Sequence, residues 1–178
     1  ALEIDKRTYL EYYFSLLREK HLVIFTFYTN NDYNSRIIKI CLFLFSFALY
    51  YTTNGLFFND SSMHRIYIDN GRYNLLYQLP QIVYSTVISI IINTIINWLS
   101  LTQKNIVKLK NEEINDNIDA DSVIKCITIK FIIFFILEFS FLLLFWLFLS
   151  CFCVVFTNTQ LHLFKDTLIS FGLALIYP

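Results

Sequence analysis

The chain has 178 residues, of which 56% are hydrophobic, 19% aromatic and only 16% charged, with cationic and anionic side chains in balance. A soluble domain carries about a quarter charged residues to cover its surface, so this composition excludes an ordinary water-soluble fold. Zero net charge gives no electrostatic reason to expect nucleic acid or an acidic substrate as a partner.

The opening residues, ALEIDKRTYL, hold neither an initiating Met nor the apolar run of a signal peptide. The last two, Tyr177 and Pro178, close an apolar stretch. The expected context is therefore a longer protein at both ends. Residues 1–36 mix aromatic and charged side chains, Tyr9, Tyr12, Tyr13 and Phe14 among Glu11, Arg18, Glu19 and Lys20. From Thr8 to about Tyr28 this pattern predicts one amphipathic helix, too charged at its start to span and suited to lie along the bilayer surface. Asn30 to Ser35 breaks it as a loop, with Ser35 placed to cap the next helix.

Residues 37–58 are apolar except for Lys39, whose stem can carry its ammonium to the interface. About 20 helical residues cover the hydrocarbon core, which makes this the first expected span. A polar loop follows, from Asn59 to Gln78. The second span is expected at 79–101, with Pro80 in its first turn, where a missing N–H costs little. Trp98 suits the interface at its far end. The connector 102–125 is the most hydrophilic stretch. The third span, about 131–156, belongs to an apolar run starting at Cys126 that is longer than a bilayer needs and invites tilt. The fourth, 161–178, opens with Lys165 and Asp166 and is expected to be incomplete. The predicted fold is thus all-α: a polytopic membrane helix bundle of about four transmembrane helices, residues 37–178, behind a juxtamembrane interfacial helix in 1–36.

Lysine and arginine orient the helices. Eleven lie before span one, in its first turn or around the 102–125 connector, against Arg65, Arg72 and Lys165 on the other side. The positive-inside bias places the N-terminal region and the connector in the cytoplasm. The 59–78 loop then faces outward, and it holds a sequon, Asn59-Asp60-Ser61, a possible glycosylation site at Asn59.

Polar side chains at membrane depth are the first place to look for function. Ser85, Ser89, Asn93 and Asn97 recur at four-residue intervals on span two. Such a stripe should face protein, as a hydrogen-bonded packing seam or as the lining of a polar cavity. Glu138 is the lone carboxylate within the third run; buried, it would need a partner or a proton. Cys41, Cys126, Cys151 and Cys153 show no paired metal or disulfide spacing and read as small apolar side chains. His21, His64 and His162 fall in separate regions. With no phosphate loop, HExxH or GxSxG, the sequence offers no catalytic, cofactor or metal residues, and a non-enzymatic protein is expected. Abundant Phe, Ile, Tyr and Asn suggest an AT-rich genome.

Span one and its flanks, SRIIKICLFLFSFALYYTTNGLFFND, resemble the membrane region of receptor-type polycystins in Arg36, Cys41, Asn54, Gly55 and Phe57. Span two, LPQIVYSTVISIIINTIINWLSL, is similar to the next helix of that family, and LHLFKDTLISFGLALIYP resembles the helix after its tight outer turn, with Ser170 and Pro178. The order and lengths of helices agree over about residues 35–178. The resemblance implies a large polycystin-like surface receptor or channel-associated protein, in a plasma or ciliary membrane. This segment would anchor it and assemble with partner membrane subunits through the span-two stripe Ser85, Ser89, Asn93 and Asn97. Beside it stand two other expectations: an organelle-encoded hydrophobic subunit of a respiratory or ATP-synthase complex in the mitochondrial inner membrane, and a transporter fragment using Glu138 and Asn93. The partners expected in every case are the lipid bilayer and other membrane helices.

Overall fold

Thr8 starts the first helix by accepting a hydrogen bond from the Glu11 backbone N–H while the Glu11 carboxylate accepts one from the Thr8 N–H. This reciprocal cap satisfies two of the free donors at a helix start. The structure is a computed structural model that describes residues 8–27, 33–101, 106–107, 120–156 and 159–176. Its elements are helices α1 (Tyr9–Lys20), α2 (Leu22–Phe27), α3 (Arg36–Leu56), α4 (Asp60–Ile68), α5 (Leu75–Ser100), α6 (Ala120–Val155) and α7 (Gln160–Ile176). No strand occurs among the described residues, so the all-α expectation holds.

Three helices, at 36–56, 75–100 and 121–155, are long and apolar enough to cross a membrane. The fourth expected span, α7, has 17 residues, about 25 Å of helix, and carries Lys165 and Asp166. It is the shortest of the four and is not among those three.

Several boundaries differ from the sequence expectation, each for a local reason. The helix expected from Thr8 to about Tyr28 breaks at His21, whose backbone is extended, φ −73° and ψ 118°. The polar 59–78 loop contains a helix, α4, because Asn59 caps it by accepting from the Ser62 N–H at 2.8 Å. The turn after α4 puts Asn70 at φ 50° and Gly71 at φ 77°, a left-handed pair that Asn and Gly tolerate. The second span starts earlier than expected, at Leu75, so Pro80 lies inside α5 rather than in its first turn. α6 begins at Ala120, inside the stretch expected as connector; most of 102–119 lies outside the described residues, as do Tyr28 to Asp32 and Tyr177–Pro178. Ser35 stands at the N-cap of α3, but its side chain makes no capping bond.

The core forms where α3 meets α5 and α6. Ile38, Leu42, Phe45 and Leu49 of α3 bury against Ile96 of α5 and Phe134 of α6. On α6 the inward side chains are Phe131, Phe134, Glu138, Phe141, Phe145, Phe148 and Phe152, alternately three and four residues apart. That spacing is the seam of helices crossing at a shallow angle. Phe141 and Phe145 meet Phe45 with ring centroids 6.0 and 5.8 Å apart, and Phe152 meets Phe58 at 5.9 Å. Residue numbers rise together along this contact, so α6 runs parallel to α3. α5 and α7 run antiparallel to α3, since Asn93 meets Ser46 while Ser85 meets Asn54, and Ser170 also meets Asn54. Gly55 makes the closest approach possible: a Cβ there would lie 3.2 Å from the Phe148 ring and 3.6 Å from Leu163.

α2 folds back onto the start of α3, and α1 packs on α2. Phe27 packs edge-on to Phe43 at 5.2 Å, Thr26 donates to the Lys39 carbonyl at 3.2 Å, and the Lys39 ammonium lies 4.4 Å from the Phe25 ring centroid. Lys39 is thus buried under the N-terminal hairpin rather than snorkelling freely. Burial also holds the His21 imidazole below its ordinary pKa, since a charged ring there would lose its hydration.

Candidate functional site

A ladder of polar contacts runs between α3 and α5 and turns onto α7. At one end Asn93 donates to Ser46 at 2.9 Å. Two turns along α3, Thr53 and Ser89 share a hydrogen bond of 2.8 Å. Next, Ser85 donates to the Asn54 side-chain oxygen at 2.7 Å, and the Asn54 amide donates to the Tyr50 carbonyl at 2.8 Å and to Ser170 of α7 at 3.1 Å. One turn further along α5, the Gln81 amide nitrogen lies 3.4 Å from both the Asn54 carbonyl and the Asp166 carboxylate. Tyr73 closes the ladder, its hydroxyl donating to Asp166 at 2.7 Å.

The four-residue rhythm explains this placement. Gln81, Ser85, Ser89 and Asn93 stand one turn apart on α5, and Asp166 and Ser170 do the same on α7, so each set shares one face. Asn54, Ser85, Ser89, Asp166 and Ser170 are fully buried. In an apolar surrounding each unpartnered polar group costs several kcal/mol by order of magnitude, which is why the donors and acceptors of this seam find each other.

Of the stripe expected on span two, Ser85, Ser89 and Asn93 bond to α3 within the chain. Asn97 is half-buried one turn further on, and its backbone carbonyl, not its side chain, accepts from Ser100 at 3.3 Å. Glu138 is in a different place, on the α6 seam among phenylalanines. It is buried, faces the Cys41 thiol of α3, and one carboxyl oxygen has no hydrogen-bond partner. Asn59 is exposed, but its side-chain oxygen is occupied as the α4 cap, also accepting from the Ser61 hydroxyl at 2.7 Å.

Sequence reasoning missed Asn54, Gln81, Asp166 and Tyr73 as parts of one cluster. For Gln81 the signal was present, since it continues the four-residue ladder one step beyond Ser85. Tyr73 carried no such signal, because its place depends on the turn after α4. Its ring stacks on His162 at 5.7 Å and lies under the Lys165 ammonium, 5.2 Å from the centroid. His162 in turn bonds the Gly71 carbonyl at 3.1 Å. The first turns of α7 therefore grip the 71–73 segment. Burial, followed by the hydrogen bond to Asp166 and its charge, pushes the Tyr73 phenol well above its ordinary pKa.

At the opposite end of the bundle Lys130 sits 4.7 Å from the Trp98 ring centroid, a cation–aromatic pair joining α5 to α6. No cluster of three or more histidine, cysteine or acidic side chains suited to a metal occurs among the described residues. Cys41, Cys126, Cys151 and Cys153 are all free thiols. No family model, curated protein or solved structure matches the chain.

Proposed function

We propose that the chain is a non-enzymatic, multi-pass membrane segment that anchors a larger polycystin-like surface receptor or channel-associated protein and assembles with partner membrane helices. The observation that carries this is the contrast between α6 and the other spans. The polar stripe of α5 is consumed by α3 inside the chain. α6, the most apolar span, buries the smallest share of its length. Outside its phenylalanine seam it presents Ile132, Ile136, Phe139, Leu143, Trp146 and Leu147. A helix of 36 residues, about 54 Å long, attached along one seam only, offers its remaining surface to lipid and to further helices.

In this reading α1 and α2 lie at the cytoplasmic interface, with Tyr9, Leu10 and Phe14 exposed toward the headgroups. The 102–125 region is cytoplasmic, α4 and the 71–73 turn are outside, and α7 inserts as a fourth, short crossing beside α3 and α5. A plasma or ciliary membrane is the favoured location.

Photo-crosslinking from α6 in native membranes tests the assembly role. A photoreactive residue replacing Leu143 or Trp146 is expected to give adducts to another membrane protein, whereas one replacing Ile82, buried in α5, gives none. Adducts to lipid alone from both α6 positions would dispose of assembly through this helix.

A second reading, a transporter fragment, is favoured by one observation: Glu138 places a carboxyl among phenylalanines with one oxygen unpartnered, and such groups mark ion or proton paths. On that reading Glu138→Gln abolishes proton or cation flux in reconstituted vesicles. Equal flux in the variant rejects it.

A further inference from the structure

We propose that Asp166, Gln81 and the backbone carbonyl of Asn54 form a binding site for a small monovalent cation of sodium size. The ligand follows from an imbalance of hydrogen-bonding groups. Three oxygens converge on the end of the Gln81 side chain where α3, α5 and α7 meet: both carboxylate oxygens of Asp166 and the Asn54 carbonyl. The donors facing them are the Tyr73 hydroxyl, on Asp166 at 2.7 Å, and the Gln81 amide nitrogen, stretched between Asp166 and Asn54 at 3.4 Å to each. The Gln81 amide oxygen is buried and has no donor. Buried acceptors in native proteins are satisfied almost without exception, so this end of the bundle lacks positive charge.

Three further points set the kind of ion. Asp166 is fully buried, and its partners Tyr73 and Gln81 are both neutral; the adjacent Lys165 directs its ammonium over the Tyr73 ring instead. A buried carboxylate without a cation is strongly disfavoured. Asn54 lies in the last turn of α3, which ends at Leu56, where carbonyls lack intrahelical donors and the helix dipole is negative. Helix C-terminal carbonyls beside an amide and a carboxylate are hard oxygen ligands. A single carboxylate balances one positive charge, whereas calcium takes more oxygens and usually several carboxylates. Rotation of the Gln81 amide, whose oxygen and nitrogen differ only by a half-turn, would bring its oxygen onto the ion.

The site does not depend on the assembly role, and failure of one leaves the other standing. The test uses the purified full chain in detergent micelles, with sodium, lithium, potassium or choline chloride at constant ionic strength. Thermal unfolding is read from Trp98 and Trp146 fluorescence. Sodium is expected to raise the midpoint saturably by several degrees above choline, because a ligand that binds only the folded state stabilises it. Asp166→Asn is expected to abolish the rise, and Asp121→Asn, on the exposed first turn of α6, to keep it. Should Asp166→Asn fail to fold, Gln81→Leu keeps the carboxylate and is expected to raise the half-saturating sodium concentration about tenfold. Equal midpoints in sodium and choline would show Asp166 to be simply protonated and overturn the proposal. A sodium response that survives Asp166→Asn, or an unchanged half-saturation in Gln81→Leu, overturns it as well.

Discussion

Asn54→Ala is expected to loosen α7 from the bundle and to lower stability by about 2 kcal/mol. Asn54 ties all three helices together at this level through its side chain. Its amide donates within α3 to Tyr50 and across to Ser170, and its side-chain oxygen accepts from Ser85. Hydrogen bonds between membrane helices are worth about 0.6 kcal/mol on average and up to about 1.7; losing several at once, with a small cavity besides, gives the larger figure. In that variant Ser85 keeps its bond to the Ile82 carbonyl at 3.0 Å, so its hydroxyl is not orphaned. Ser170 has no such reserve, because both its interhelical contacts are to Asn54. The measurement is a denaturing-detergent titration, paired with disulfide trapping between cysteines placed at Phe47 and Phe171, whose rings stack 5.6 Å apart, in a background without the native cysteines. A variant as stable as the parent, with trapping undiminished, would mean that α7 is held by its apolar contacts alone.

Much of this architecture was legible because a bilayer leaves few alternatives. Long apolar runs must be helices when water is absent, and α3, α5 and α6 follow from that rule alone. The stripe at Ser85, Ser89 and Asn93 was legible for the same reason, since a four-residue period of polar groups on an Ile-rich helix needs a protein neighbour. Its neighbour, however, is set by the tertiary fold. Nothing local in the sequence says that Asn54 meets Ser85 or that Asp166 reaches Gln81. α4 was missed because nine residues containing Met63, Ile66 and Ile68 among polar ones look like loop until the Asn59 cap is recognised. The Pro80 position was misplaced because α5 begins one turn earlier, at Leu75, behind Gln78, which hides its continuity with the Ile-rich run. The phenylalanine seam of α6 was hidden by abundance: in a run where nearly every residue is apolar, the three-and-four spacing is seen only once the helix has a partner.

Glu138→Met is expected to stabilise the bundle, by about 1–3 kcal/mol. Methionine matches the length and flexibility of glutamate without its charge or polar oxygens. The seam on either side of position 138 is phenylalanine, and Phe134 one turn away is fully buried against the α3 core. The carboxyl now meets only the Cys41 thiol there, a weak partner, and leaves one oxygen unpaired. Replacing an imperfectly paired buried acid by an apolar side chain of similar volume removes a penalty and adds packing. Glu138→Gln should fall between the two, because the amide sheds the charge and keeps an unsatisfied oxygen. The midpoint of unfolding in a denaturing-detergent titration checks the order Met above Gln above Glu. Destabilisation by Met would instead mean that Glu138 makes an essential contact in the folded chain. A gain in stability carries a consequence for function, because a position that improves when its native side chain is removed is held by something other than folding. The carboxyl would then be kept for what it does in the membrane, proton or ion handling or contact with a partner helix, and not for what it contributes to the bundle.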